Sequence, residues 1–166
     1  EATAKFLLKE NIVARARLRE LYEISSKEEK NIIQVIIENN LIAPEQLAKM
    51  FERVLKIKYI QPSSDEIPAD IMKNIPVNIL KDFLILPLLI EKQHLFVGMV
   101  NPLETEALRQ IYNFANNLKI KPVIIDYGFY LRVIGKLNQS TRQSELRAEI
   151  SGDGQIHKLS VSEIVA

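Results

Sequence analysis

The sequence predicts an α+β protein: an N-terminal four-helix subdomain with a duplicated helix-stop-helix unit, followed by a small three-stranded mixed sheet packed with helices. Three features lead to that reading. "LLKENIVARARLREL" (7–21) superposes on "IIENNLIAPEQLAKM" (36–50) at one constant offset, pairing Asn11 with Asn40, Ala14 with Ala43 and Leu18 with Leu47 as identities. Three strand-like runs, "LILPLLI" (84–90), "HLFVGMV" (94–100) and "KIKPVIID" (119–126), follow a stretch rich in Pro and Ser. Pro87 and Pro122 cannot donate to a ladder and belong on edges, whereas the middle run lacks Pro and can pair on both sides. The resulting organisation is a helical subdomain over 1–60, an α/β subdomain over 61–138 and a linker over 139–166.

In the doubled units the apolar slots match as well, with Leu7, Leu8, Ile12 and Val13 falling on Ile36, Ile37, Leu41 and Ile42. Each unit therefore ends one helix, stops, and starts another. Asn11 and Asn40 supply the stop, because Asn tolerates the left-handed backbone better than any residue except Gly. Pro44 restarts a helix at a first-turn position where its missing N–H costs nothing. Leu47, Met50, Phe51, Val54 and Leu55 form a one-sided stripe along it, and Leu18, Leu21 and Tyr22 continue the first copy more weakly. Ser26 followed by Glu29 has the spacing of a capping box for the third helix. Burial of a Leu or Ile stabilises by ~1.5–3 kcal/mol, which is motive enough for pairing two hairpins. Duplication alone does not imply a ligand.

Pro68 and Pro76 each begin a short helix ahead of the sheet, and Glu91, Lys92 and Gln93 make a hairpin-length loop between the first two strands. Asn101, Pro102 and Glu104 stand at cap, first-turn and reciprocal-cap positions of a helix with Ala107, Leu108, Ile111 and Ala115 on one face. That crossover makes the last two strands parallel. Asp126 caps a final helix bearing Tyr130, Leu131, Ile134 and Leu137. Beyond Asn138 the chain turns polar and reads as a tether, with "IHKLSVSEIV" (156–165) leaving room for a further strand.

Composition narrows the function. A net charge of +1, from 22 basic and 21 acidic residues, offers no single-sign field to recruit nucleic acid or an acidic membrane face. The absence of Cys excludes thiolate nucleophiles and Cys-ligated zinc and suits the cytosol. "FLILPLLI" and "IIQVII" fall far short of the ~20 residues of a spanning helix. The first residue is Glu and the final "SVSEIVA" breaks off mid-pattern, as expected of a piece of a longer chain.

No residue is assigned to catalysis, cofactor or metal. There is no GxxxxGK[ST] phosphate loop, and Gly occurs only at 98, 128, 135, 152 and 154, so no GxGxxG follows a strand. Gly152-Asp153-Gly154 reads as a turn. His94 and His157 lie far apart, without ligand spacing. Asp65-Glu66 and Glu28-Glu29 suit a linker and a helix first turn, and Lys56-x-Lys58 and Lys119-x-Lys121 suit solvated faces.

The run from "LILPLLI" through "NPLETEALRQIYNFANNLKIKPVIID" to "YGFYLRVIGKL" resembles the N-terminal domain of the ATPases that drive type II secretion and type IV pilus assembly. It shows a Leu-Pro strand, a short turn, a Val-Gly-Met strand closing on Asn101-Pro102 where the family usually has Asp-Pro, then helix, strand with Pro122, and helix. The doubled units resemble the same family's front end, so the likeness spans roughly residues 2–138. It implies a non-catalytic docking or regulatory domain, recruiting the motor to the cytoplasmic part of an inner-membrane assembly protein without entering the bilayer. ATP and Mg would belong to a C-terminal ATPase domain, and the full-length motor would be a hexamer. In a subset of the family each doubled unit presents an Arg-Leu-Gly start, a Gly stop and a terminal Gln, and together they bind cyclic-di-GMP. Here those starts hold Ala2-Thr3-Ala4 and Asn31-Ile32-Ile33, the stops hold Asn11 and Asn40, and the Gln slots hold Ser25 and Val54. The apolar frame persists at Leu7, Leu8, Ile12, Leu18, Ile36, Ile37, Leu41 and Leu47. Arg15, Arg17 and Arg19 on the first unit form a candidate docking face.

Overall fold

The computed structural model of the chain describes residues 1–65, 67–72 and 74–152. The first 131 residues form one compact unit, and a second begins at Arg132. Four helices come first: α1 (Ala2–Lys9), α2 (Arg15–Glu28), α3 (Ile32–Glu38) and α4 (Pro44–Leu55). They pack across the repeat. The Phe6 ring of α1 stacks on Phe51 of α4 with centroids 4.5 Å apart, and α2 lies against α3. Leu7, Leu21, Ile33, Ile36 and Phe51 are sealed from solvent, so each unit completes its core with the other.

Ser26 does not begin a helix. The apolar stripe holds α2 helical through Glu28, Glu29 takes the left-handed conformation (φ 53°), and Asn31 provides the cap one step later. Its Oδ1 accepts from the Ile33 N–H at 3.0 Å. Asn is at least as good a cap as Ser and sits directly before the apolar Ile32-Ile33, so it wins the competition.

Two short helices follow, α5 (Ala69–Met72) and α6 (Val77–Phe83), each just after its proline. Then come β1 (Ile85–Glu91), β2 (His94–Met99), α7 (Thr105–Tyr112), β3 (Lys119–Ile124) and α8 (Tyr127–Gly152). The sheet order is β1-β2-β3, antiparallel then parallel, with the proline-free strand central. The hairpin loop is two residues, Lys92 and Gln93, both with positive φ (49° and 64°), a combination whose twist matches the flanking strands. Pro87 stands at a bulge in β1, where a missing donor does least harm. Leu86, Val97, Met99, Ile111 and Ile124 are sealed from solvent, with Val97, Met99 and Ile124 on one face of the sheet and Leu86 on the other.

Two further expectations need correction, the start of one helix and the end of another. The helix after β2 starts at Thr105, because Asn101 spends its Oδ1 on the Leu103 N–H (3.1 Å), closing a turn one step earlier. Lys56 and Lys58 keep their side chains exposed, as expected, while the backbone at Lys58 pairs with the sheet. The Lys58 carbonyl accepts from the Ile124 N–H at 2.8 Å and the Ile60 N–H donates to the Ile124 carbonyl at 2.9 Å, so residues 58–60 run parallel to the end of β3. The last helix, capped as expected by Asp126 Oδ1 accepting from the Phe129 N–H (2.8 Å), does not stop at Asn138. No Pro or Gly interrupts 136–151, and Glu145, Leu146, Arg147 and Ala148 favour helix, so α8 continues to Gly152. The strand suggested over 156–165 lies outside the described residues. Among the described residues no helix is long and apolar enough to cross a membrane.

Candidate functional site: the paired stop turns

The two stops are the same structure built twice. Asn11 and Asn40 are left-handed, with φ of 55° and 57°. In the first, the Asn11 N–H donates to the Leu8 carbonyl (3.2 Å) and the Ile12 N–H to Leu7 (3.0 Å). In the second, Asn40 donates to Ile37 (3.0 Å) and Leu41 to Ile36 (3.2 Å). Both are complete Schellman closures, which satisfy the last carbonyls of α1 and α3. Ala14 and Ala43 then open α2 and α4 with near-identical extended backbones.

Burial repeats with the geometry. Leu7 and Ile36 are buried, as are Leu18 and Leu47; Leu8, Ile12, Ile37 and Leu41 are half-buried; Asn11 and Asn40 are exposed. Each stop is also fastened by the opposite unit. Arg17 Nη2 of α2 donates to Asn39 Oδ1 after α3 (3.3 Å), and Arg53 Nη2 of α4 donates to Glu10 Oε2 after α1 (3.2 Å). Glu10 and Asn39 are equivalent in the repeat, whereas Arg17 falls on Gln46 and Arg53 on Ile24, so the accepting ends of the cross-ties repeat and the donors do not.

The structure brings the frame residues together but does not gather the three arginines. On α2, Arg15 and Arg19 share a side, one turn apart, whereas Arg17 projects from another and is held by Glu20 (2.8 Å) and Asn39. At the two unit starts, Ala2 is exposed, Ala4, Asn31 and Ile32 are half-buried, and only Thr3 and Ile33 are buried. Thr3 is buried, and its Oγ1 accepts from Asn101 Nδ2 (3.0 Å), tying α1 to the loop after β2. Asn31 caps α3 and donates through Nδ2 to the Asp82 carbonyl (3.3 Å), while Ile33 is fully buried. At the Gln slots, Ser25 Oγ donates to the Lys30 carbonyl (2.6 Å), and Val54 is exposed and apolar. None of these positions supplies a charge.

Electrostatics around the turns is local. Lys30 bridges Glu28 (2.9 Å) and Glu38 (3.0 Å), and these partners hold its pKa up. The Gln34 amide, then Lys30, holds Glu38 below the usual carboxylate range. Burial, then Glu104, raises Tyr22. Elsewhere Tyr59 donates to Asp126 Oδ2 (2.8 Å) and is raised by burial and then by that carboxylate. Sequence patterns give no signal for this contact or for Thr3–Asn101, since both join residues remote in the chain and unremarkable locally. Among the described residues no group of three or more His, Asp or Glu could hold a metal ion.

The family model of the MshEN domain matches residues 55–144, more than half of the chain. The chain belongs to the MshEN domain family. Solved structures share the fold. MshE with cdg is 17% identical with a TM-score of 0.54, covering 80% of this chain and 95% of that one. The N-terminal domain of XpsE in one crystal form is 14% identical with a TM-score of 0.55, covering 81% and 93%. In another crystal form it is again 14% identical, with a TM-score of 0.57, covering 80% and 90%. At these identities the likeness is one of fold. No curated protein matches. The resemblance to the N-terminal domains of secretion and pilus ATPases therefore holds, and the family match lies mainly on the sheet half, downstream of the doubled turns.

Proposed function

We propose that this MshEN domain is the non-catalytic N-terminal docking and regulatory domain of a type II secretion or type IV pilus assembly ATPase. It recruits the motor to the cytoplasmic part of an inner-membrane assembly protein, and so acts in the cytoplasm at the membrane's inner surface. ATP and Mg act in a separate catalytic domain of the hexameric motor. One observation supports this above the others: the paired stop turns keep their full frame, while every slot that would meet a nucleotide is uncharged or engaged in internal hydrogen bonds. A frame kept without its ligand contacts is a scaffold for protein contact, and Arg15 and Arg19 lie on the same helical unit. A pull-down with the cytoplasmic domain of the cognate assembly protein tests the reading. Capture that weakens with Arg15→Glu/Arg19→Glu supports this docking face; capture unchanged by that pair removes the face; no capture removes the role.

A second reading, a cyclic-di-GMP sensor controlling the motor, is favoured by the fold shared with MshE, which was solved with cdg. Chemistry weighs against it. A hydrogen bond to a charged group contributes ~1.5–3 kcal/mol, so losing two arginine contacts weakens binding roughly a hundredfold to ten-thousandfold.

A further inference from the structure

One face of the sheet is covered at one end and open at the other. Gly98 makes the covered end possible: a Cβ there would stand 2.8 Å from Ile125 and 3.1 Å from Leu88, so only the bare backbone lets these side chains close over the strand. The bulge between Pro87 and Leu89 accompanies this closure. Toward the hairpin, the register sets two rows across the same face: Leu89, Phe96 and Lys121, then Glu91, His94 and Lys119. Leu89 is 44% exposed, Phe96 and His94 are half-buried, and both lysines are exposed. Lys121 Nζ lies 5.5 Å from the Phe96 ring centre. At the β1 border, a cavity of about 350 Å³ opens, walled by Ile60, Ile67, Leu88, Leu89 and Phe129.

We infer that this open face is a docking platform for an acidic segment of a partner protein that places one bulky apolar side chain in the cavity. The cavity is lined mainly by apolar groups and is at the small end of the range that binding pockets occupy. Beside it the two rows carry Lys119, Lys121 and His94 against the single acid Glu91, so a segment crossing from β1 toward β3 passes from an apolar to a basic surface. Charge complementarity then asks for Asp or Glu next to the anchoring side chain. The rows are too few in cations to track a nucleic acid backbone. The platform shares no residue with the paired turns, and stands apart from the role proposed for them.

Panning the chain against a display library of random peptides of about twelve residues tests the inference. The expected winners carry a Phe, Leu or Ile flanked by acids. Their affinity should fall at least about tenfold with Lys119→Glu/Lys121→Glu and with Leu89→Asp, while Arg15→Glu leaves it unchanged. Circular dichroism melting checks that each variant folds, and chemical-shift mapping of the wild-type chain places the bound peptide even if one variant does not. No enrichment, winners without acidic bias, shifts away from Leu89 and Phe96, or binding only to vesicles of anionic phospholipid would each overturn it.

Discussion

Asn11 and Asn40 hold a backbone conformation in which a side chain branched at Cβ clashes. Replacing Asn40 by Val should cost about 1–3 kcal/mol, whereas Asn40→Gly should be neutral or slightly stabilising, with urea midpoints separating the two. Asn101 does two jobs at a buried position, closing its own turn and satisfying Thr3, so Asn101→Ala should cost about 1–3 kcal/mol by the same assay. Tyr59 adds a pH signature. Its folded pKa lies above the ordinary phenol value, so the neutral form is favoured in the fold, and that stabilisation is complete below about pH 10, the unfolded value. It is lost as pH rises from there toward the folded value. Burial raises Tyr130 in the same direction. The melting temperature should therefore fall above about pH 10, and Tyr59→Phe should flatten the fall without abolishing it; an unchanged alkaline profile would contradict the assignment.

Among elements, the doubled helices are legible because a stop residue and an apolar period are local signals that survive in a single sequence. The sheet order is legible for the same reason: Pro87 and Pro122 announce edges, and the Pro-free run announces the centre. What escapes is decided between remote segments or between competing caps. Ser26 loses to Asn31, Asn101 is consumed by a tighter turn, and Lys58 to Ile60 pair with β3 only because the fold brings them there. Of the site, the turns and their apolar slots are readable in advance. The cross-ties from Arg17 and Arg53 are not, since they depend on one unit meeting the other. That mutual dependence can be measured. Phe51→Ala removes a fully buried ring stacked on Phe6 and should cost about 3–5 kcal/mol, destabilising both units in one transition, as hydrogen exchange of α1 and α4 would show.

Within Glu1–Leu131, the fold carries a repeated unit whose two copies finish each other, joined to α6 through Asn31–Asp82, to the loop after β2 through Thr3–Asn101, and to the end of β3 through the strand pairing of Lys58–Ile60 with Ile124. Thr3 and Asn31, at the starts of α1 and α3, make two of those joints. We propose that the paired turns serve as a protein-binding scaffold and do not hold a cyclic dinucleotide. Isothermal titration calorimetry of the chain with cyclic-di-GMP tests this most directly. The account predicts no saturable heat with ligand at hundreds of micromolar, and a dissociation constant of about 1 μM or tighter, equivalent to about −8 kcal/mol, would contradict it.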